Sequence, residues 1–290
     1  MILVTGASGN VGSQVMDAVV KTGKPLKALY RSEKDAANRP AGVPAAIADF
    51  ADRSAMMRAL EGVDQVFLVC GPVPQLVDLE SKAIEACKAA GVQHLVLNSA
   101  LGAGVFDASF PRWHNQVEKV LAASGLRHSI IRPNSFMQNI VNYYAPTIRT
   151  QGAFYSSMGA ARVSFIDTRD IGAFVATLFT SPSHQGATYE LNGPEALTYA
   201  ELAEKVSQVT GTPARYVDIP IPQQRQAMLD QGMPSWQVEA LIDLQRYYIE
   251  GRGGVVDNVF ADVVGRQPLR MTQFLREFKS AFIAPMAHPA

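Results

Sequence analysis

The sequence has little that would suit a secreted, membrane-spanning or nucleic-acid-binding protein. Its 290 residues include two cysteines, too few for a disulfide framework and spaced like no metal motif, so no metal site is expected. No apolar run approaches the roughly 20 residues of a membrane span, and the opening one is too short for a signal peptide. Lysine plus arginine and aspartate plus glutamate both number 26, which argues against a broad basic surface for nucleic acid or anionic membranes. We expect a soluble, cytoplasmic protein.

The first twelve residues, MILVTGASGNVG, carry the clearest functional signal. An apolar strand, a glycine-rich turn and a helix pattern follow one another, which is the context typical of dinucleotide binding. Gly6 allows a sharp turn, Gly9 lets the backbone approach a pyrophosphate, and Gly12 lets the helix pack close to the strand. The helix N-terminus adds free N–H groups and partial positive charge. The predicted phosphate contacts are Gly6, Ala7, Ser8, Gly9, Asn10 and Val11. The spacing resembles that of the short-chain dehydrogenase/reductase superfamily, in its extended or atypical branches.

Strand and helix patterns alternate through the first half of the chain, which predicts an α/β fold with a doubly wound, Rossmann-type parallel sheet. Strands are predicted near residues 2–4, 26–30, 45–48, 66–69, 95–97, 129–131, 163–166 and 187–191. Helical patterns dominate after Leu197, which predicts a smaller, mostly helical C-terminal lobe.

These patterns also suggest a division into domains. We expect residues 1–134 to form an NADP-binding core that residues 160–195 complete. Residues 135–159 and 196–284 would form the smaller substrate lobe, because a chain that leaves the sheet and returns to it builds a second lobe from discontinuous pieces. Residues 285–290 read as a frayed tail. A cleft between the lobes would hold the substrate.

The end of the second predicted strand lacks the acid that NAD-binding folds use for the ribose 2′-hydroxyl. The segment reads Tyr30-Arg31-Ser32, so Arg31 stands at or next to the position of that acid. A guanidinium there can bind the 2′-phosphate of NADP through a charge-assisted pair, and Ser32 adds a hydroxyl. We predict NADP as the cofactor, with NADPH preferred over NADH. The alternative for Arg31 is a solvated loop arginine.

Further cofactor contacts are expected where the other predicted strands end, because a dinucleotide lies along the carboxyl edge of such a sheet. Asp49 and Phe50 are predicted to lie beside the adenine. The alternative, that Asp49 is a helix cap and Phe50 a core residue, explains them equally well. Cys70 is more typical of a small apolar residue than of a reactive thiol. The predicted contacts along this edge are Asp49, Phe50, Cys70, Gly71, Asn98, Ser99, Pro133, Asn134 and Phe136.

The sequence lacks the Tyr-x-x-x-Lys pair with which most short-chain dehydrogenases handle the proton. The serine after the fifth strand is present as Ser99, but His114 and Glu118 stand where the tyrosine and lysine would be. This loss argues against sugar-epimerase or secondary-alcohol chemistry, which depends on a phenolate. We predict Ser99, His114 and Glu118 as catalytic residues, with His114 donating a proton or hydrogen bond and Glu118 orienting it. The alternative is a surface pair that only stabilises the helix.

Five segments, TGASGNVG, Arg31-Ser32, GVQHLVLNSA, HNQVEKVLAASG and SIIRPNSFMQN, carry a resemblance over about the first 195 residues. The chain resembles the NmrA-like atypical short-chain dehydrogenase/reductases, most closely the bacterial NADPH:quinone oxidoreductase and triphenylmethane reductase branch. The resemblance implies an NADPH-dependent reductase that transfers hydride to a small planar electrophile such as a quinone or dye. The family also includes NADP-sensing regulators with a protein partner, so a non-catalytic sensor stays open. A nucleotide-sugar epimerase or dehydratase is disfavoured, and a homodimer stays open.

Overall fold

The computed structural model describes residues 1–37 and 39–283, in two units. Unit 1 contains Met1–Pro133, Thr168–Leu191 and Val259–Arg266. Unit 2 contains Asn134–Asp167, Asn192–Asn258 and the described residues from Gln267 onward. The expected frayed tail, residues 285–290, lies outside the described residues.

Short apolar runs form the strands, as expected for a sheet covered on both faces. The strands are β1 (Ile2–Val4), β2 (Leu26–Tyr30), β3 (Ala45–Ile47), β4 (Gln65–Leu68), β5 (His94–Asn98), β6 (His128–Pro133), β7 (Ala153–Ser156), β8 (Thr188–Leu191) and β9 (Arg215–Asp218). Seven of them form one parallel sheet in unit 1, in the order β3-β2-β1-β4-β5-β6-β8. The direction of winding reverses between β1 and β4, so the prediction of a doubly wound, Rossmann-type sheet is confirmed.

Helices separate the strands of unit 1 and make up most of unit 2, as predicted. They are α1 (Gly12–Lys21), α2 (Glu33–Ala36), α3 (Arg53–Ala59), α4 (Leu76–Ala89), α5 (Ser109–Ser124), α6 (Ala145–Gln151), α7 (Thr168–Thr180), α8 (Tyr199–Thr210), α9 (Ile221–Asp230), α10 (Ser235–Ile249), α11 (Val259–Val264) and α12 (Met271–Glu277). Helix α1 packs closely on α7, since a Cβ at Gly172 would lie 2.4 Å from the carbonyl oxygen of Gln14. This contact fixes the helix that begins at the glycine turn.

The predicted strand over residues 163–166 is wrong. The two ends of this buried segment bridge different partners, Val163 with Leu197 and Ile166 with Phe136, so no continuous ladder forms. The pairing strands of unit 2 are instead β7 and β9, which run parallel to each other. Neither was predicted, because each pairs only with the other across a long stretch of sequence, and no local pattern marks that pairing.

Candidate active site

The glycine turn after β1 has a backbone that only glycine can form at two of its positions. Gly6 has a φ of +58°, and a Cβ at Gly12 would lie 2.2 Å from the Gly6 carbonyl oxygen. The Gly9 N–H donates to that same oxygen at 2.8 Å. Helix α1 begins at Gly12 without a side-chain cap, so its first turn keeps N–H groups for an anion. These features fit the pyrophosphate of a dinucleotide.

Thr5 joins the ends of β1 and β4, and sequence reasoning gave it no role. Its buried hydroxyl donates to the Val69 carbonyl oxygen at 3.1 Å and accepts from the Val69 N–H at 2.9 Å. The two strand ends flank the point where the winding reverses, which is where ligands bind in open α/β sheets. In the sequence, the position of Thr5 directly between an apolar strand and the first glycine was the signal that could have indicated this role.

Arg31 follows β2 with an exposed side chain and makes no salt bridge among the described residues. Ser32 caps the short helix α2: its hydroxyl accepts from the Asp35 N–H at 3.2 Å and donates to the Asp35 carboxylate at 2.8 Å. The guanidinium therefore stands beside a turn that Ser32 and Asp35 hold in shape. The roles predicted for Arg31 and Ser32 toward a 2′-phosphate stay predictions.

The segments after β3 and β4 contain Asp49, Phe50, Cys70 and Gly71. Asp49 is exposed and accepts from the Ala51 N–H at 2.8 Å, while Phe50 is half-buried against the core. Burial raises the pKa of the Cys70 thiol to about 12, and the nearby Glu80 carboxyl adds to the effect. A thiol that stays protonated is a poor nucleophile. The prediction that Cys70 is not a reactive thiol therefore has physical support.

Ser99, Glu118 and Arg132 form a network where β5 and β6 end, in which Ser99 and Glu118 are buried and Arg132 is half-buried. The Ser99 hydroxyl donates to Glu118 Oε1 at 2.5 Å. Arg132 donates to both oxygens of Glu118, from Nε at 2.9 Å and from Nη2 at 2.6 Å. Sequence reasoning missed Arg132, although a cation inside the apolar strand SIIRP signals a buried partner. The network links both strands to α5.

His114 lies on α5 one turn before Glu118 but makes no hydrogen bond with it among the described residues. Burial lowers the pKa of His114 to about 4, although the negative charge of Glu118 opposes this. The imidazole is therefore neutral at pH 7, and its Nδ1 is buried without a hydrogen-bond partner. The Glu118 carboxylate faces Ser99 and Arg132 instead, so the expected orienting contact with His114 is not formed.

Asn98 ends β5 directly before Ser99 and is buried. Its side-chain Nδ2 donates to the Ser99 carbonyl oxygen at 3.4 Å, and its Oδ1 has no partner in the described part of the chain. Pro133 ends β6 beside Leu191 in β8. These three residues, Asn98, Ser99 and Pro133, thus lie at the carboxyl ends of neighbouring strands in unit 1.

Asn134 and Phe136 belong to unit 2. The Asn134 side chain donates to Asn192 Oδ1 and to the Gly253 carbonyl oxygen, both at 2.9 Å, which joins separate segments of that unit. Phe136 is half-buried. Their expected contacts with the nicotinamide stay predictions, while a structural role for Asn134 is evident from its hydrogen bonds.

None of the described helices combines the length and apolar character that a membrane crossing requires. Across residues 1–37 and 39–283, no cluster of three or more histidine, cysteine, aspartate or glutamate side chains could hold a metal ion.

Comparison with known proteins agrees with the glycine turn and the doubly wound sheet. The family model described as the NmrA-like family matches residues 1–266. The chain belongs to the NmrA-like family. This confirms the resemblance inferred from the motifs.

Individual relatives cover almost the whole chain. An NAD(P)H azoreductase from Xenophilus azovorans is 36% identical, over 97% of this chain and 99% of its own length. An NADPH-dependent quinone oxidoreductase from Escherichia coli, solved in complex with NADPH, has 26% identity and a TM-score of 0.87, over 97% of this chain and 99% of the other. A Citrobacter triphenylmethane reductase, solved with NADP(H), has the same fold at 20% identity and a TM-score of 0.86, over 96% and 99% of the two chains.

Proposed function

We propose that the chain is an NADPH-dependent reductase that transfers hydride to a small planar electrophile, such as a quinone, an azo compound or a cationic dye. The similarity to the NAD(P)H azoreductase, at 36% identity over 97% of the chain, carries the proposal. The glycine turn and the uncapped start of α1 fit a dinucleotide phosphate. Arg31, in place of the usual acid, favours the 2′-phosphate of NADPH.

The chain's own residues mainly bind and orient in this reaction. NADPH, when bound, supplies the hydride. The site lacks a Tyr-x-x-x-Lys pair, and neutral His114 is a weak acid at pH 7. A quinone or conjugated dye spreads the charge that it gains, so solvent can protonate the product and a strong protein acid is dispensable. We propose that Gly6 to Val11 hold the phosphates and that unit 2 provides the substrate lobe.

The experiment is NADPH oxidation, followed as loss of absorbance at 340 nm, with quinones, azo dyes and cationic dyes. A pull-down of protein partners with NADP or NADPH runs beside it, and the protein's mass in solution reports whether it is a dimer. Turnover of at least one acceptor supports the reductase. If NADPH binds tightly, every acceptor is inert and a partner is captured by only one redox form, the protein is an NADP-sensing regulator and not a reductase.

A cytoplasmic location stays a prediction from the scarcity of cysteine.

A further inference from the structure

A single carboxyl interrupts the apolar inner face of α4. Glu80 lies on this face between Leu76 and Ile84, one turn from each, and all three side chains are fully buried. Neither carboxyl oxygen of Glu80 has a hydrogen-bond partner among the described residues. A buried polar group that is left without a partner costs the protein its full desolvation penalty. Packing therefore does not explain Glu80, and the proposed hydride transfer does not use it.

The carboxyl lies beside a strand end that belongs to the dinucleotide edge of the sheet. The backbone N–H of Cys70, two residues after β4, faces this carboxyl. Val69, which precedes it, is joined to Thr5 by two hydrogen bonds. The Cγ1 of Val69 also lies 2.7 Å from the place where a Cβ of Gly6 would be. One residue therefore separates the contact of Glu80 from the glycine turn.

Burial determines the charge of Glu80. It raises the pKa of this carboxyl to about 8, so the side chain is mainly protonated at pH 7. On α4 and on the helices packed against it, α3 and α5, the other titratable side chains that are not exposed are Cys87, His114 and Glu118. The first two are neutral at pH 7, because burial raises the pKa of Cys87 and lowers the pKa of His114. Glu118 is paired with Arg132.

Ionisation of Glu80 would change the strand end in two ways. A carboxylate attracts an N–H donor more strongly than a neutral acid does, so it would draw the Cys70 N–H, and Val69 with it, toward α4. It would also place a buried negative charge close to the glycine turn, where the pyrophosphate is proposed to bind. Charges of like sign repel strongly where water is excluded. Both effects oppose the binding of an anionic dinucleotide.

We propose that Glu80 is a positioning residue of the dinucleotide site, which binds its cofactor more tightly while this carboxyl carries its proton. The inference rests on the proposed NADPH function. Glu80 acts through Cys70 and Val69 and is itself buried behind them, so it is not a catalytic residue. Because binding favours the protonated form, affinity is full below about pH 8 and falls as the pH rises above it. Near that pH, the protein takes up a proton when NADPH binds.

Titration calorimetry with NADPH at pH 7 and pH 9 tests this role. In the wild type, we expect Kd to rise at least about fivefold over this interval because of the repulsion between like charges. A proton should be taken up on binding at pH 8.5, which two buffers of different ionisation enthalpy reveal. Glu80→Gln keeps the shape and neutrality of the acid, so its Kd at pH 7 should lie within about twofold of the wild type. This variant should lose the pH dependence and the proton uptake.

Glu85→Gln is the matched control, because Glu85 is an exposed acid on the same helix. Its pH profile should equal that of the wild type. If the Kd of the wild type is the same at pH 7 and pH 9, or if Glu80→Gln keeps the full pH dependence, this inference fails while the proposed function stands. If the wild type binds no NADPH at either pH, both fail.

Infrared difference spectra of the wild type decide the matter if Glu80→Gln does not fold. Addition of NADPH at pH 8.5 should increase the C=O band of a protonated carboxylic acid, because the cofactor favours the neutral form of Glu80. A spectrum without this increase overturns the inference.

Discussion

The two edges of the sheet in unit 1 use their polar groups differently. At the amino edge, the Met1 ammonium pairs with Asp64, and Lys27 donates to the carbonyl oxygens of Ala59 and Glu61 at 3.1 and 3.2 Å. At the carboxyl edge, Gly6 and Gly12 form an open turn and α1 starts without a cap. These groups of the amino edge pair within the protein, while the carboxyl edge keeps donors and acceptors for a ligand.

Two buried serines show the difference most clearly. Ser129 donates to the His184 carbonyl oxygen at 2.8 Å and contacts His94 Nε2 at 2.9 Å, so its donor and an acceptor site are both occupied. Ser99 donates to Glu118 and keeps its lone pairs. The same residue type, equally buried, is structural at one edge and a candidate ligand contact at the other. Burial alone therefore does not separate the two roles, but hydrogen-bond polarity does.

The largest effect is expected from Gly9→Val at the carboxyl edge. A Cβ at this position meets only the Gly6 carbonyl oxygen, at 3.2 Å, so the fold should survive while the branched side chain blocks the pyrophosphate. NADPH affinity should fall at least about a hundredfold, or ~2.7 kcal/mol. Titration calorimetry measures the affinity, and far-UV circular dichroism checks the fold. Unchanged NADPH affinity in Gly9→Val would place the phosphates elsewhere.

Gly12→Ala should instead lower the free energy of unfolding, because its Cβ would clash with the backbone carbonyl of Gly6.

Acid should weaken the amino edge. Because Ser129 donates to His184, His94 must donate from Nε2, and its Nδ1 is buried without a partner. Burial lowers the pKa of His94 to about 4, and the charges of Arg127 and His128 add to this. A histidine pKa below its unfolded value means that stability is present above pH 6.5 and lost as pH falls toward 4.

We expect His94 to account for about 2 kcal/mol of the unfolding free energy lost over that interval. Urea titrations at several pH values measure it. His94→Gln should flatten the profile, and His184→Gln should not. Half-buried His114, whose pKa is also lowered to about 4, should account for the remaining dependence of stability on pH. Equal slopes in the wild type and His94→Gln would contradict this account.

Cofactor choice tests whether Arg31 recognises the 2′-phosphate. NADPH should bind at least about tenfold tighter than NADH, a difference of ~1.4 kcal/mol. Arg31→Ala should remove most of that ratio. Arg39→Ala is the control. Arg39 is also exposed, but it donates to the Ala36 carbonyl oxygen at 3.2 Å, so its loss should leave the ratio of NADPH to NADH affinity unchanged. Equal affinities in the wild type would reject an arginine-centred phosphate site.

The smallest effect is expected at His114. Because solvent can protonate a quinone or dye product, His114→Ala should lower kcat/KM by less than about tenfold, well below the 10²–10⁴-fold typical of a required acid. The rate should show no inflection from this neutral histidine between pH 5.5 and 7.5. His184→Ala at the amino edge serves as the control. A hundredfold loss would make His114 an obligatory proton donor.

The sequence was sufficient wherever a signal is local. The strand Leu26–Tyr30 follows from its apolar patterning alone. The glycine turn was readable for the same reason, since its backbone constraint involves only neighbouring residues. The strand predicted over 163–166 failed because an apolar run looks the same whether it pairs in a ladder or packs as buried loop.

Only the tertiary structure decided the partners of Glu118. Sequence spacing placed it beside His114 on one helix, because an i, i+4 relation is visible in any helical stretch. Its actual partners are Ser99, 19 residues away and directly after β5, and Arg132, 14 residues away on β6. Contacts across a sheet depend on strand order and register, which the chain sets only when it folds. The sequence thus determined the fold and the nucleotide turn, while the folded sheet determined which way the Ser99 proton points.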